Sequence, residues 1–239
     1  EVVLTGVDIT SYGQDLPGKP TLGQMMRRLL AHIPDLPRLR LSSVDPVEID
    51  EDVFDLLKTS SRVMPYLHIS LQAGDDLILK RMKRRHLRAD LLTFCKKARN
   101  ARPDVTFGAD IIAGFPTEKE ENFKNTLDIL KECDITFAHI FPYSPRPGTP
   151  AARMPQVTKA VIKDRATLLR AEAKRIKKAH LKKQIGTYHS ALVERETLAR
   201  AENYMPIQLD IPQKIGEIIS VKITGATQDG LIGHRYTQG

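Results

Sequence analysis

Residues 107–132, FGADIIAGFPTEKEENFKNTLDILKE, contain a strand, a turn and a helix in the order of one βα unit. The apolar run Phe107–Ile112 is typical of a buried strand, and a Gly-Phe-Pro turn follows it. Thr117, with Glu120 three residues later, predicts a capping box at the start of the helix. Apolar residues then recur on one helical face, at Phe123, Leu127 and Leu130.

Similar patterns recur along the first part of the chain, with strand starts roughly 30 to 35 residues apart, the length of one βα unit. The other predicted strands are Val2–Leu4, Leu39–Leu41, Leu67–Leu71 and Phe137–Phe141. Amphipathic segments lie at about 21–32, 50–59, 75–102 (broken) and 118–132, and Thr21 with Gln24 predicts a second capping box. Parallel βα units form either a doubly wound sheet or a barrel, and the pattern alone does not choose between them.

Composition excludes several classes of protein. The chain has 239 residues, 41% hydrophobic and 28% charged, so it can bury a core and is neither disordered nor collagen-like. No apolar run approaches the roughly 20 residues that a bilayer requires, so no membrane partner is expected. Cys95 and Cys133 form neither a disulfide framework nor a metal-binding spacing, and we expect both to be buried in a reducing cytoplasm. Glu1 without a preceding Met suggests an internal start.

Positive charge is concentrated in two places. Arg153–Lys183 contains eleven Lys or Arg and two acidic residues, a surplus of nine against a net charge of +8 for the whole chain. Lys80–Arg85 is a second dense run. Such clusters favour a polyanionic partner, because Lys and Arg displace the counterions that phosphates hold. A solvated helix face is the alternative for either cluster taken alone.

The character of the sequence changes near Ile185. A long basic helix is expected at about 158–184, with Gly186 at its end. Short strands follow at Ser190–Val193, Ile207–Ile211, Glu217–Ile223 and Leu231–Gly233, and Asp229-Gly230 predicts a hairpin. We therefore predict two domains, residues 1–185 of α/β class and residues 186–239 forming a small antiparallel β-barrel.

Polar residues and a Gly or Pro follow every predicted strand of the α/β domain, which allows backbone to approach a ligand closely. In parallel architectures, ligands bind at the carboxyl ends of the strands, where the turns converge. One such turn is ordinary, whereas five indicate a shared site. The five segments are Thr5–Asp8, Ser42–Pro46, Gln72–Asp76, Ala113–Glu118 and Tyr143–Thr149.

These strings resemble those of the radical S-adenosylmethionine methylthiotransferases that modify tRNA. The similar segments, which are spread over nearly the whole chain, are Leu4–Gly13, Arg40–Ser43, His68–Gln72, Met82–Arg84, Asp110–Pro116 and Tyr143–Thr149. Leu4–Asp8 and Ile69–Asp75 are most similar to the branch that acts on N6-threonylcarbamoyladenosine beside the anticodon. Residues 186–239 resemble the TRAM domain, an RNA-binding module of these enzymes.

The resemblance implies a partial (β/α) radical-SAM-type barrel followed by a TRAM-like β-barrel, in a cytoplasmic enzyme whose partner is the anticodon stem-loop of tRNA. It implies C2 methylthiolation of threonylcarbamoyladenosine at position 37, with S-adenosyl-L-methionine and two [4Fe–4S] clusters as cofactors. The family's cysteine trio, C-x3-C-x2-C, is absent from this sequence. Because thiolates must hold the cluster, we expect an inactive fragment whose cluster ligands lie upstream of Glu1, and we assign no metal ligand or catalytic residue within it.

Cofactor-binding residues follow from the resemblance position by position. Asp8, with the backbone of Gly6, matches the position that receives the cofactor's ammonium group, and a carboxylate suits that cation. Ser43 and Gln72 match strand-end groups at the methionyl or ribose moiety. Arg84 matches the arginine near the cofactor carboxylate, whereas its neighbours in the basic run are expected to be surface charges.

The remaining assignments concern the adenine ring and the RNA. Ile112 to Gly114 matches the strand whose backbone lies along the adenine ring of the cofactor. The residues expected on the substrate side are Tyr143, Arg146 and Thr149. In the small barrel, candidate phosphate contacts are Arg195, Arg200, Lys222 and Arg235, and candidate stacking residues are Tyr204 and Tyr236. His68, within an apolar strand, is expected to be a hydrogen-bonded core residue and not a ligand.

Two other functions are compatible with an α/β domain of this kind. The alternative is a non-catalytic tRNA-binding protein on a degenerate barrel. A different α/β enzyme, with a Schiff-base lysine or a catalytic metal, is disfavoured because no strand-end lysine and no cluster of His, Asp and Glu occurs in the sequence.

The surplus of Lys and Arg at Arg153–Lys183 predicts that this chain binds tRNA with strongly salt-dependent affinity, because each neutralised phosphate releases counterions. The measurement is a binding titration repeated from low to physiological ionic strength. An affinity that does not change over this range would contradict the prediction.

Overall fold

Parallel strands form two sheets in the first part of the molecule. The computed structural model describes residues 1–237. The strands of this part are β1 (Val2–Leu4), β2 (Leu39–Leu41), β3 (Ser43–Val44), β4 (Tyr66–Gln72), β5 (Thr106–Ala113) and β6 (Ile135–Pro142). The helices are α1 (Leu22–His32), α2 (Glu51–Thr59), α3 (Asp76–Arg81), α4 (Arg88–Ala101), α5 (Glu120–Glu132) and α6 (Lys159–Lys183). The predicted strands and helices are confirmed, and β3 is an addition to them.

Strand order distinguishes the two architectures that the sequence left open. β1 pairs in parallel with β2, and β3, β4, β5 and β6 pair in parallel in that order. Ser42 alone separates β2 from β3. A doubly wound sheet reverses its strand order at a switch point, and no reversal occurs within residues 1–237. The strands follow one another as in a barrel, which confirms the predicted partial (β/α) barrel.

Alternate residues of the strands form the two faces of the four-stranded sheet β3–β6. On β4, Leu67, Ile69 and Leu71 are at most 2% exposed. Phe107 on the same face of β5 contacts Phe94 of α4, with 6.3 Å between the ring centroids, so helices cover this face. Because successive strand residues point to opposite sides, a different set faces the interior of the partial barrel. We call this side the inner face, and it carries Tyr66, His68, Gly108 and Asp110.

Helix starts agree with the sequence at one predicted capping box and differ at the other. Thr21 and Gln24 form both hydrogen bonds of the box that opens α1. The box predicted at Thr117 is wrong, because α5 begins later, where the Lys119 N–H donates to Asn122 Oδ1 at 2.8 Å. Thr117 has a φ of 67° and not the extended backbone of an N-cap, and its hydroxyl contacts Arg81.

The C-terminal strands form a small closed barrel. They are β7 (Tyr188–Arg195), β8 (Leu198–Ala201), β9 (Pro206–Leu209), β10 (Ile218–Ala226) and β11 (Leu231–Arg235), in the order β10-β11-β9-β8-β7. The hairpin predicted at Asp229-Gly230 connects β10 to β11. β8 was not predicted, because its sequence LARA lacks the β-branched and aromatic residues that favour strands.

One pairing in this barrel differs from the antiparallel prediction, since β9 and β11 run parallel. The reason is topological: five strands around a closed barrel cannot alternate in direction at every neighbouring pair. The contacts of the chain group it into two compact units, Glu1–Ala173 and Lys174–Gly239. That division falls within α6, whereas the predicted domain boundary at residue 185 follows α6 and stays a prediction.

A buried ion pair connects α6 to the loop after β5. Arg165 of α6 donates to Glu118 Oε1 at 2.8 Å, and the two side chains are 8% and 1% exposed. The same carboxylate oxygen accepts the Gly114 N–H at 3.2 Å. Burial raises the pKa of Glu118 to about 7, although the charge of Arg165 opposes the shift. Because this folded-state pKa is above the unfolded value, ionisation of Glu118 costs stability as the pH rises through 7.

The variant Arg165→Met is expected to lose about 3–5 kcal/mol of unfolding free energy at pH 8, because Glu118 is then buried as an uncompensated charge. At pH 6 the loss should be smaller, since the carboxyl is mostly protonated there. Urea denaturation at both pH values measures this. Lys124→Met on the exposed side of α5 is the matched control. Equal losses at the two pH values would show that Glu118 does not titrate as described.

Candidate functional site

The loops after the parallel strands surround three adjoining cavities. The first, of about 310 Å³, is lined by Asp8, Ser43 and Arg84 among others. The second, of about 390 Å³, shares Arg84 with the first and also contacts Gln72 and Ile112. The third, of about 460 Å³, shares Gln72 and Ile112 with the second. Residues from all five predicted segments therefore meet in one continuous region.

The first cavity contains a cluster of charges. Asp8 accepts hydrogen bonds from the hydroxyls of Thr10, at 3.2 Å, and Ser11, at 2.8 Å. Nη2 of Arg85 lies 3.7 Å from Asp8, and Nη1 pairs with Glu48. The sequence predicted Arg85 to be a surface charge. Its side chain is 62% exposed, but it lines this cavity and pairs with two of its carboxylates.

Arg84 and Gln72 connect the first cavity to the second. Arg84 donates to the Ser70 carbonyl at 3.4 Å, and its Nε is buried without a hydrogen-bond partner among the residues described. Gln72 ends β4 with a φ of 63°, in the left-handed region that costs a residue with a side chain about 1 kcal/mol or more. The packing around β4 holds this conformation. A strand pattern gives no signal of it, so the sequence could not predict this strain.

The two predicted glycines, Gly6 and Gly114, are not among the residues that line these cavities. Gly114 has a φ of 73°, and a Cβ there would lie 2.5 Å from the side chain of Ile162 in α6. Its glycine is therefore required by the backbone conformation and by helix packing. A Cβ at Gly6 would meet Ile9 at 3.8 Å, an ordinary contact, so packing does not require a glycine there.

The third cavity brings together the three residues predicted on the substrate side, Tyr143, Arg146 and Thr149. The Tyr143 ring packs edge-on against Phe115, with 5.4 Å between the centroids. Its hydroxyl is buried and has no hydrogen-bond partner within residues 1–237. Thr149 donates to the carbonyl of Arg146 at 2.8 Å, which fixes the turn after β6. Buried polar atoms without partners are expected where a ligand supplies the missing bond.

His68 lies on the inner face below the third cavity and is hydrogen-bonded, as predicted. One ring nitrogen is 3.1 Å from the Tyr66 hydroxyl and the other is 3.3 Å from Asp110. Burial lowers the pKa of the imidazole, with Asp110 opposing the shift. Asp110 itself lines the third cavity. The sequence did not single out Asp110, because its role depends on the register between β4 and β5.

In the small barrel, carboxylates neutralise two of the four candidate phosphate contacts. Arg200 pairs with Glu194 at 2.6 Å, and Arg235 pairs with Glu217 at 2.8 Å. Arg200 also lies 4.6 Å from the centroid of Tyr204. Arg195 lies at the exposed end of β7.

A second aromatic cluster in this barrel includes a residue that the sequence prediction missed. Tyr188 packs against Tyr236, with 4.8 Å between the centroids, and Lys222 lies 5.9 Å from the Tyr188 ring. Two rings beside a cation resemble the surfaces that bind unpaired bases. The pairing of β10 with β7 brings these residues together.

Both cysteines of the chain are buried. Cys95 and Cys133 are its only cysteines, and each is at most 2% exposed in the core between α4 and α5. No group of three His, Cys, Asp or Glu side chains within residues 1–237 could hold a metal ion. In the same part of the chain, no helix has both the length and the apolar character needed to cross a bilayer.

Comparison with known proteins gives a family match. Residues 1–130 match the family model described as the radical SAM superfamily. Over 94% of its length the chain is 51% identical to the threonylcarbamoyladenosine tRNA methylthiotransferase MtaB of Rickettsia prowazekii, and it covers 53% of that protein. It is 33% identical to the protein of the same name from Thermotoga maritima, of which it covers 55%.

A relative with a different printed name has a similar identity. The chain is 33% identical to the tRNA-2-methylthio-N(6)-dimethylallyladenosine synthase of Bartonella bacilliformis, of which it covers 53%. It thus spans about half the length of the curated relatives it matches. Among solved structures, coproporphyrinogen III oxidase of Escherichia coli, a radical SAM enzyme, superimposes with a TM-score of 0.50 over 92% of this chain and 58% of its own, at 16% identity. That similarity concerns the fold.

Because an iron–sulfur cluster requires thiolate ligands, the two buried cysteines predict that this chain does not take up a cluster. After anaerobic incubation with iron and sulfide and then desalting, the chain should stay colourless and retain no stoichiometric iron. Iron analysis and the visible absorption spectrum test this. The double variant Cys95→Ser/Cys133→Ser is the control. A brown chromophore that is lost in the control would show that the buried cysteines are ligands.

Proposed function

This chain belongs to the radical SAM superfamily, and from that premise we propose that it is the S-adenosyl-L-methionine-binding and tRNA-binding part of a tRNA methylthiotransferase. The proposed substrate is N6-threonylcarbamoyladenosine at position 37, in the anticodon stem-loop, and the proposed modification is methylthiolation at C2. The 51% identity to a relative of that name supports this choice over the dimethylallyl relatives, whose identities to this chain are 32–36%.

The observation that carries the proposal is the continuous region where strand-end residues meet. S-adenosyl-L-methionine has an ammonium and a carboxylate at one end and an adenosine at the other. The first cavity is lined by a carboxylate, Asp8, and a guanidinium, Arg84, which complement the two charges of the methionyl end. The Nε of Arg84 is buried and has no hydrogen-bond partner among the residues described. The residues present therefore fit this cofactor.

The remaining cofactor-binding residues are assigned in order from the first cavity to the second. Ser43, beside Asp8, and Gln72, at the border of the second cavity, would hold the methionyl or ribose groups. Ile112 would lie against the adenine ring, where its side chain offers apolar contact. When bound, the cofactor supplies the radical chemistry of the superfamily. The contribution of this chain is to bind and orient it beside the substrate cavity.

Substrate binding is assigned to the third cavity and to basic surface. Tyr143, Arg146 and Thr149 surround the third cavity, which adjoins the proposed cofactor region. Phosphates of the stem-loop would be bound by the Arg153–Lys183 segment. In the small barrel, Lys222 with Tyr188 and Tyr236 offers a cation beside two rings for an unpaired base.

A second candidate is a non-catalytic tRNA-binding protein, and the presence of only two cysteines favours it. The two candidates differ in what they require of the first and second cavities. A methylthiotransferase needs these cavities to bind S-adenosyl-L-methionine, whereas a simple RNA-binding protein does not. Cofactor binding therefore discriminates between them.

Isothermal titration calorimetry of the 239-residue chain with S-adenosyl-L-methionine is expected to show binding that Asp8→Asn weakens about tenfold, the effect of losing one charge-assisted hydrogen bond at a partly exposed position. Asp15→Asn, on the exposed loop before α1, is the control and should bind like the original chain. Equal affinities for the Asp8→Asn variant and the original chain would contradict this placement. Absence of any binding would favour the non-catalytic candidate.

A further inference from the structure

Four polar or aromatic side chains form a connected cluster on the inner face. His68 lies between the Tyr66 hydroxyl, 3.1 Å from Nδ1, and the Asp110 carboxylate, 3.3 Å from Nε2. This arrangement fits a neutral imidazole whose Nε2–H donates to Asp110 while Nδ1 accepts from the phenol. His139 of β6 stacks on His68, with 5.7 Å between the ring centroids and 24° between the planes. None of these four side chains is among the proposed cofactor-binding residues.

Strand register builds this cluster and Gly108 makes room for it. Asp110 of β5 is the register partner of His139, and Gly108 is the register partner of His68. A Cβ at Gly108 would overlap the Tyr66 hydroxyl and approach His68 Nδ1 to 2.7 Å. The space that a side chain would fill is therefore occupied by the phenol and the imidazole. Any larger residue at this position would displace them.

His139 and Asp110 are the members of the cluster that can reach a ligand. The His139 side chain is exposed, and its ring nitrogens have no hydrogen-bond partner within residues 1–237. Asp110 is held by His68 through one oxygen, and its side chain, 38% exposed, lines the third cavity. Phe141, two residues after His139 on β6, lines the same cavity. The cluster thus offers a fixed acceptor and a free imidazole next to the proposed substrate cavity.

We propose that His139 and Asp110 are specificity-determining residues that recognise the polar carbamoyl-amino-acid substituent on the substrate adenine; this inference rests on the proposed function. A carbamoyl group presents N–H donors to Asp110, and its carbonyl or the amino-acid carboxylate accepts from His139. Arg146, in the same cavity, adds a positive charge for that carboxylate. His68 is a positioning residue, because it acts by holding Asp110 in place.

The same cluster discriminates against an apolar substituent. A dimethylallyl group has no donor or acceptor, so its binding here would remove water from Asp110 and His139 without replacing their hydrogen bonds. A buried polar group that loses its hydrogen-bond partner costs the full free energy of removing that group from water. A polar site therefore rejects an apolar analogue more strongly than an apolar site rejects a polar analogue. The inner face therefore favours the threonylcarbamoyl substrate of one group of relatives over the dimethylallyl substrate of the other.

The test uses the full chain and three anticodon stem-loop RNAs that are identical except at one adenosine, which is unmodified, N6-threonylcarbamoylated or N6-dimethylallylated. Fluorescence anisotropy is expected to show about tenfold tighter binding of the threonylcarbamoyl loop than of the dimethylallyl loop. His139→Phe should remove this preference. His32→Phe, at the exposed end of α1, is the matched control and should retain the preference.

The outcomes separate the inference from the proposed function. Equal affinity of the original chain for the two modified loops, or a preference that survives in His139→Phe, would overturn the inference while tRNA binding stands. Failure to bind any of the three loops would overturn the tRNA-binding function itself. Imidazole NMR resonances of the original chain give a readout that needs no variant: the His139 signals should shift on addition of the threonylcarbamoyl loop and not of the dimethylallyl loop, and the reverse would overturn the inference.

Discussion

Parallel pairing in chain order is the constraint on which the rest of this structure depends. Because β3, β4, β5 and β6 all run in one direction, their carboxyl ends meet at one edge and their loops enclose a shared space. Within β3–β6 each strand pairs with its successor, so segments far apart in sequence line adjoining cavities. Asp8 and Arg84, for example, line the same cavity although three α-helices and three strands lie between them. The site is a consequence of the winding of the chain.

Burial of charge then determines how firmly the loops are held. The Glu118–Arg165 pair is nearly inaccessible to water, and the same carboxylate accepts the backbone N–H of Gly114 at the end of β5. Such a pair stabilises the fold little compared with apolar packing, but it is costly to break. It therefore fixes one geometry of the β5–α5 loop against α6. At the opposite extreme, Asp8, Glu48 and Arg85 are partly exposed, and their pairing can be exchanged for a ligand at small cost.

The two faces of the same strands serve different purposes. The side covered by helices is made of Leu, Ile, Phe and Ala residues that need only pack. The inner face carries His68 and Asp110, which are hydrogen-bonded to each other, and exposes His139. The relatives include proteins named for a polar adenine substituent and proteins named for an apolar one. This chain covers about the same share of the length of each kind. The proposed recognition of the adenine substituent depends on the polarity of the inner face.

The sequence by itself determined the helices, every strand except β3 and β8, the small C-terminal barrel and the polar segments that meet at the site, because these follow from apolar periodicity, turn residues and recognisable strings. Tertiary structure decided what depends on contacts between distant residues. The capping box at Thr117 failed because Arg81, distant in sequence, contacts the Thr117 hydroxyl while the backbone there is left-handed. Gly114 proved necessary for packing against Ile162 of α6, which no local pattern records. Strand register and loop geometry place Arg85 and Asp110 in the site and Tyr188 in the aromatic cluster. The fold determines which side chains meet, and the neighbouring residues in the sequence do not reveal these partners.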